Sequence, residues 1–299
     1  MSFANGLRTI VVAADLDGRS ESAIAYARKL AQAYGSQIVL AHGLDPVEYA
    51  AVEGVPGRVL NRLTDQARAD LGKMAAELIR DGIHSHSDIR QGVVTQTIVG
   101  VAQQYEAGLI VIGTRGRQGA GAVVVGSVAE EIVRLAPCPV LAVADDWNAG
   151  EFRPVPGGPV LLAMERNEAA AAAIATACSL AEVFERMLLV VHARRPAEAT
   201  ALLNPCATTL AEFGVAAENR FPLRCIVRDG NAADVIEDVI AQYRPSILVT
   251  GVRRFSRSHG PHGTAFSLLA LSRVPVLCVP PELPSPEVEA ERQFASTPV

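Results

Sequence analysis

No two cysteines in this chain stand at CxxC spacing. The five present, Cys138, Cys178, Cys206, Cys225 and Cys278, are odd in number and far apart. That excludes a disulfide framework and a structural zinc site, and leaves small buried hydrophobes suited to a reducing cytoplasm. Aromatic residues are scarce at 5%, and lysine appears only at positions 29 and 73, a bias that codon composition explains before mechanism does. A formal charge of −5 supplies no basic surface for nonspecific duplex binding, so nucleic acid is not an expected partner. No apolar run approaches the roughly 18 residues of a membrane span, so no membrane is expected either. The opening MSFANGLRTIVVAADLD reaches Asp15 after a short apolar stretch without a small-residue cleavage site, so no signal peptide is expected. Also missing are a GxxxxGK[ST] phosphate loop, a GxSxG nucleophile elbow and a GxGxxG opening after the first apolar run. No acid–base pair or activated nucleophile is visible, so a robust enzyme is not expected.

What is present is a repeat. At an offset of 150, Ala13 meets Ala163, Ile24 meets Ile174, Leu30 meets Leu180, His42 meets His192 and Pro46 meets Pro196. The offset falls to 138, where Arg90 meets Arg228, Gly92 meets Gly230, Tyr105 meets Tyr243 and Gly113 meets Gly251. It ends at 136, with Pro139-Val140-Leu141 on Pro275-Val276-Leu277. One unit has been duplicated, and the second copy lost about a dozen residues mid-unit. The expected organisation is a first copy at 1–146, a linker at 147–158, a second copy at 159–281 and a disordered tail at 282–299, since 299 residues suit two domains better than one core.

Each copy reads as alternating strand and helix. Residues 9–14 are a short apolar β-rich run, and a helix follows from about 20 to 34, closed by Gly35. Residues 37–42 form the next strand. A longer helix spans about 59–81, with Ala67, Leu71, Met74, Ala75, Leu78 and Ile79 at helical spacing and Gly82 at its end. A polar strand at 84–90, a helix at 95–105, a strand at 109–113, a helix at 126–135 and a strand at 140–144 complete the unit. Continuously apolar strands are buried on both faces, which predicts an α/β fold of two tandem open, mostly parallel five-stranded sheets with helices on both faces; the strand order expected for them is 3-2-1-4-5. The last strands, 140–143 and 276–279, would be apolar sheet edges that seek a partner, either each other or a second chain in a homodimer.

The informative stretch is Gly113-Thr-Arg-Gly116, nine residues, then Gly126-Ser127-Val128. It leaves the fourth strand and enters the fourth helix, beyond the carboxyl end where open α/β sheets bind ligands. Glycines let backbone amides approach a phosphate, a helix start adds unpaired N–H groups, and Arg115 and Arg117 offer bidentate contacts. Asp15, at the end of the first strand, would accept from a base amino group or a ribose hydroxyl. Asp17 and Ser20 read as better placed than Asp15 to cap the following helix.

This pattern, G-x-x-G, nine residues, G-[ST] with a strand-end Asp, resembles the ATP-binding type of the universal stress protein family, and SVAEEIVRLAPCPVLAV (127–143) resembles its last helix and strand. The resemblance implies Rossmann-like or flavodoxin-like domains that pair through the last strand and bind ATP, with Mg²⁺, without an established reaction. A slow ATP hydrolase and an interaction protein without nucleotide are the alternatives. Carried across, the contacts are Asp15 and Gly43 for adenosine, and Ile112, Gly113, Arg115, Gly116, Gly126, Ser127 and Val128 for ribose and phosphates.

The second copy departs from the pattern. Glu165 replaces the Asp, Arg254 replaces the second Gly, and eight residues precede Gly263-Thr264. It is expected to be degenerate, with Arg253, Arg254 and Arg257 left as anion contacts. His84-x-His86 reads as an exposed strand rather than a metal site, and His259-Gly-Pro-His262 as no nucleotidyl-transfer motif. His42 and His192 are expected to hydrogen-bond within the core.

Overall fold

The computed structural model describes residues 6–16, 18, 20–45, 57–114, 126–144, 158–194, 205–212, 215, 220–253, 263–272 and 274–281. Most of the expected linker and the whole expected tail lie outside these residues. So do Arg115, Gly116, Arg117, Asp17, Arg254, Arg257, His259 and His262.

The described first half runs β1 (Thr9–Ala13), α1 (Glu21–Tyr34), β2 (Gln37–Leu44), α2 (Gly57–Arg80), β3 (Ser85–Gln91), α3 (Val94–Gln104), β4 (Leu109–Thr114), α4 (Ser127–Leu135) and β5 (Val140–Ala144). The second half repeats it with β6 (Val160–Ala163), α5 (Ala170–Val183), β7 (Leu188–Arg194), α6 (Pro205–Glu212), β8 (Leu223–Asp229), α7 (Ala232–Tyr243), β9 (Ile247–Gly251), α8 (Thr264–Leu271) and β10 (Val276–Val279). The missing dozen residues fall mainly on the second helix: α2 has 24 residues and α6 has 8. Gly35 closes α1 at φ 68°, a left-handed conformation that favours glycine.

The strand order is β3-β2-β1-β4-β5-β10-β9-β6-β7-β8. Each half therefore has the 3-2-1-4-5 order, and all pairings within a half are parallel. The expectation of two five-stranded sheets needs one revision, because β5 and β10 pair antiparallel and fuse them into a ten-stranded sheet. Their open apolar edges saturate each other: Leu141 lies opposite Leu277, and both are fully buried.

Two apolar layers sandwich this sheet, because alternate strand residues point to opposite faces. Ile10 and Val12 join α1, α2, α5 and α6 on one face, whereas Val11 joins α3, α4, α7 and α8 on the other. Both layers run unbroken from one half into the other. On the first face Tyr34 meets Phe184 edge-on at 6.2 Å, and these two are equivalent by the 150-residue offset. Burial pushes the Tyr34 hydroxyl up to about 12. On the second face the Arg134 guanidinium lies 5.3 Å from the Phe266 ring centre, a cation–π contact between the halves. Cys138 and Cys278 are buried in these layers, with thiols raised to about 12 by desolvation, which makes them packing groups and not nucleophiles.

Candidate functional site

In the first half the strand order reverses between β1 and β4, and both strands end at the same edge of the sheet. The chain leaves β4 at Thr114 and re-enters helix at Ser127. Because α4 must run back to the amino end of β5, its own amino end sits at this edge too. That topology brings Asp15, Gly113, Thr114 and Gly126–Val128 to the same edge of the sheet.

Asp15 follows β1 and is half-buried. Its Oδ1 accepts the Ser20 amide at 3.0 Å, while its own amide donates to Ser20 Oγ at 3.2 Å. Ser20 Oγ in turn donates to the Asp15 carbonyl at 3.3 Å. Ser20 stands at the N-cap of α1 without a side-chain cap bond and turns back to the strand end, where Asp15 accepts its amide; Asp17, the other cap expected from the sequence, lies outside the described residues. A carboxylate offers about four lone-pair directions, and the Ser20 amide takes one of them.

The β4 side is built for main-chain contacts. Ile112 is buried at 2% exposure and pairs with Ala142 in the sheet, and Gly113 pairs with Val143. Thr114 is buried, with Oγ1 directed at the Val143 carbonyl 3.5 Å away. Gly126 caps α4 in an extended conformation, and no side chain caps that helix. Among the described residues, a Cβ added at Gly126 would meet nothing within 4 Å. Ser127 and Val128 are exposed in the first turn, where backbone N–H groups have no intrahelical partner and the dipole favours an anion. Uncapped amides and a serine hydroxyl fit a phosphate. Arg115 and Gly116 belong to the segment outside the described residues.

Gly43 has a different reason to be glycine. A Cβ there would stand 2.9 Å from the Val94 Cα and 3.4 Å from Thr97 Cβ, so α3 packs directly on the end of β2. A neighbouring tie fixes the two helices beside the crevice: the buried Thr95 hydroxyl donates to Glu131 Oε2 at 2.8 Å. His42 behaves as expected of a core residue, with Nδ1 2.7 Å from the Ala14 carbonyl, and His192 repeats this with the Met164 carbonyl at 3.1 Å. Those bonds assign the Nδ1–H tautomer. His86 stacks at 5.1 Å against Tyr105, and no metal-binding group of His, Cys, Asp or Glu occurs among the described residues.

The second crevice is arranged differently. Glu165, in the place of Asp15, is ion-paired with Arg253, and Asn167 Nδ2 also donates to it at 3.4 Å. Asn167 Oδ1 accepts the Ala169 amide at 2.8 Å, so an amide side chain does the local work that Asp15 does in the first half. The sequence reading missed the Glu165–Arg253 pair. The repeat offsets contained the signal, because they make Arg253 the counterpart of Arg115 and Glu165 that of Asp15.

Comparison with known proteins agrees with this geometry. Residues 6–144 match the model of the universal stress protein family. The chain is 32% identical over 136 residues to a universal stress protein of Thermus aquaticus, covering 46% of this chain and 98% of that one. It is 30% identical over 138 residues to universal stress protein A homolog 1 of Coxiella burnetii, covering 45% and 94%. A universal stress protein structure from Archaeoglobus fulgidus superposes with a TM-score of 0.75 at 17% identity, over 91% of this chain and 98% of that one, a likeness of fold. No helix among the described residues is long and apolar enough to cross a membrane. With the motif, the strand order and these relatives in agreement, the chain belongs to the universal stress protein family.

Proposed function

We propose that this chain is an ATP-binding universal stress protein, a cytoplasmic regulatory module whose first copy, residues 1–146, holds the nucleotide. The second copy, 159–281, holds none in the family manner and serves mainly as structure, with 147–158 as the connection. The observation that carries this reading is the β1–β4 switch point, where Asp15, the strand end at Gly113 and the uncapped start of α4 share one edge of the sheet. Amides of the first turn at Ser127 and Val128 suit the phosphates, and the Ser127 hydroxyl adds a donor. Asp15 suits a base amino group or a ribose hydroxyl while it keeps the Ser20 bond. Mg²⁺, when bound with ATP, neutralises phosphate charge. The described groups are main-chain amides, a hydroxyl and a carboxylate tied to its own loop, a set suited to holding a ligand rather than turning it over.

Mass spectrometry of gently purified protein is expected to find co-purifying adenine nucleotide. Gly116→Arg, the change that the second copy carries at Arg254, is expected to weaken ATP binding at least about a hundredfold, or ~2.7 kcal/mol, in isothermal titration. Unchanged affinity in that variant would remove the assigned site. A chain that neither co-purifies with nucleotide nor binds added ATP would be an interaction protein instead.

A further inference from the structure

In the second crevice the arginine equivalent to a phosphate-contact candidate already carries an oxyanion, and that oxyanion belongs to the chain. Glu165 follows β6 and Arg253 follows β9, adjacent strands in register through Ala163 and Thr250. Their ion pair therefore spans the second switch point. The loop that presents Glu165 is held at the α5 start, where Asn167 Oδ1 accepts the Ala169 amide at 2.8 Å and Asn167 Nδ2 donates to the Glu165 carboxylate at 3.4 Å. A Cβ at Gly251 would meet the Ala169 Cβ at 3.1 Å and Asn167 Oδ1 at 3.3 Å, so β9 ends hard against this loop. Yet the pair itself is open to solvent, at 46% exposure for Glu165 and 64% for Arg253. A solvent-exposed pair in a fixed frame is weakly held, and a better oxyanion can replace the carboxylate.

We infer that Arg253 is the anion-binding group of the second crevice and that Glu165 is its resident intramolecular competitor, so that a small phosphate-bearing ligand binds there by displacing Glu165. The inference goes beyond the nucleotide reading of the first crevice and does not depend on it.

The test uses the full chain with Gly116→Arg, so that the first crevice does not contribute, and inorganic pyrophosphate as the probe in isothermal titration. Adding Glu165→Gln, which keeps the shape and removes the charge, is expected to tighten pyrophosphate binding about fivefold or more. Adding Arg253→Gln instead is expected to abolish it, with Arg253→Lys intermediate because the ammonium keeps charge without the fork. Thermal unfolding within a few degrees of the parent verifies that each variant is folded. Binding unaffected by Glu165→Gln, binding that survives Arg253→Gln, or no pyrophosphate binding in any variant would each overturn the inference. If Gly116→Arg leaves ATP binding intact, the first-crevice reading fails while this one stands.

Discussion

The two crevices share a topology and differ in what the strand-end acid does. In the first, Asp15 is short and folds back to hold the Ser20 amide. In the second, Glu165 is one methylene longer and reaches Arg253, and Asn167 takes over the capping contact. The comparison teaches that a duplicated site changes use by reassigning one local hydrogen bond. Once an amide side chain secures the loop, the acid is released toward the neighbouring strand. The helices show the same kind of divergence. Gly43 lets α3 touch the end of β2, while its counterpart Ala193 already carries a Cβ. Helix α3 starts at Val93 without a side-chain cap, whereas α7 starts at Asn231, whose Oδ1 accepts the Ala233 amide at 2.9 Å.

The seam between the halves should be the most sensitive and the most symmetric place. Leu141→Ala and Leu277→Ala are each expected to cost about 2–5 kcal/mol in denaturant unfolding, since both side chains are fully buried opposite one another. Costs differing by more than about 2 kcal/mol would break the symmetry drawn here. Gly43→Ala is expected to destabilise by about 1–3 kcal/mol through the clash with Val94, while Ala193→Gly costs about 1 kcal/mol or less. Equal effects in thermal unfolding would mean that the two helices pack alike after all. Asn231→Ala should lose about 1 kcal/mol, and Val93→Asn should gain up to about that much, because both N-cap backbones are extended in the same way.

The smallest expected effect is a pH dependence at Asp88. Arg90, hydrogen-bonded to Asp88 at 2.7 and 2.9 Å, holds the Asp88 carboxyl below the usual carboxylate range. A pKa lowered on folding gives stability that is present above the unfolded value near 4 and is lost as pH falls through the folded value. Asp88→Asn should therefore lower the midpoint slightly at pH 7, by about 1 kcal/mol or less, and the difference should vanish in acid. The second copy has Ile226 at this place, so a charge-neutral change there should show no such pH dependence. A parallel loss at pH 3 and pH 7 in Asp88→Asn would refute the assignment.

Much of this was legible from local pattern. Continuous apolar runs marked the parallel strands, Gly35 and Gly82 marked helix ends, and the expected elements fall within a residue or two of those observed. The site motif was legible because glycines and a helix start stand close in sequence on either side of one loop. The role of Asp15 was not, since the choice among Asp15, Asp17 and Ser20 as cap depends on which way a five-residue loop folds back. Gly43, expected as a ligand contact, also packs against Val94, which lies about fifty positions away, beyond the reach of any spacing rule. The Glu165–Arg253 pair joins residues 88 positions apart and needs the adjacency of β6 and β9 to exist.

The sequence alone determined the duplicated α/β unit and the family, because these follow from hydrophobic period, turn chemistry and a repeat that needs no distant contact. Only the tertiary structure decided that the two sheets become one, and which charged groups meet at each crevice. Edge pairing and cross-strand ion pairs are properties of chain segments brought together in space, and a linear pattern leaves their partners open.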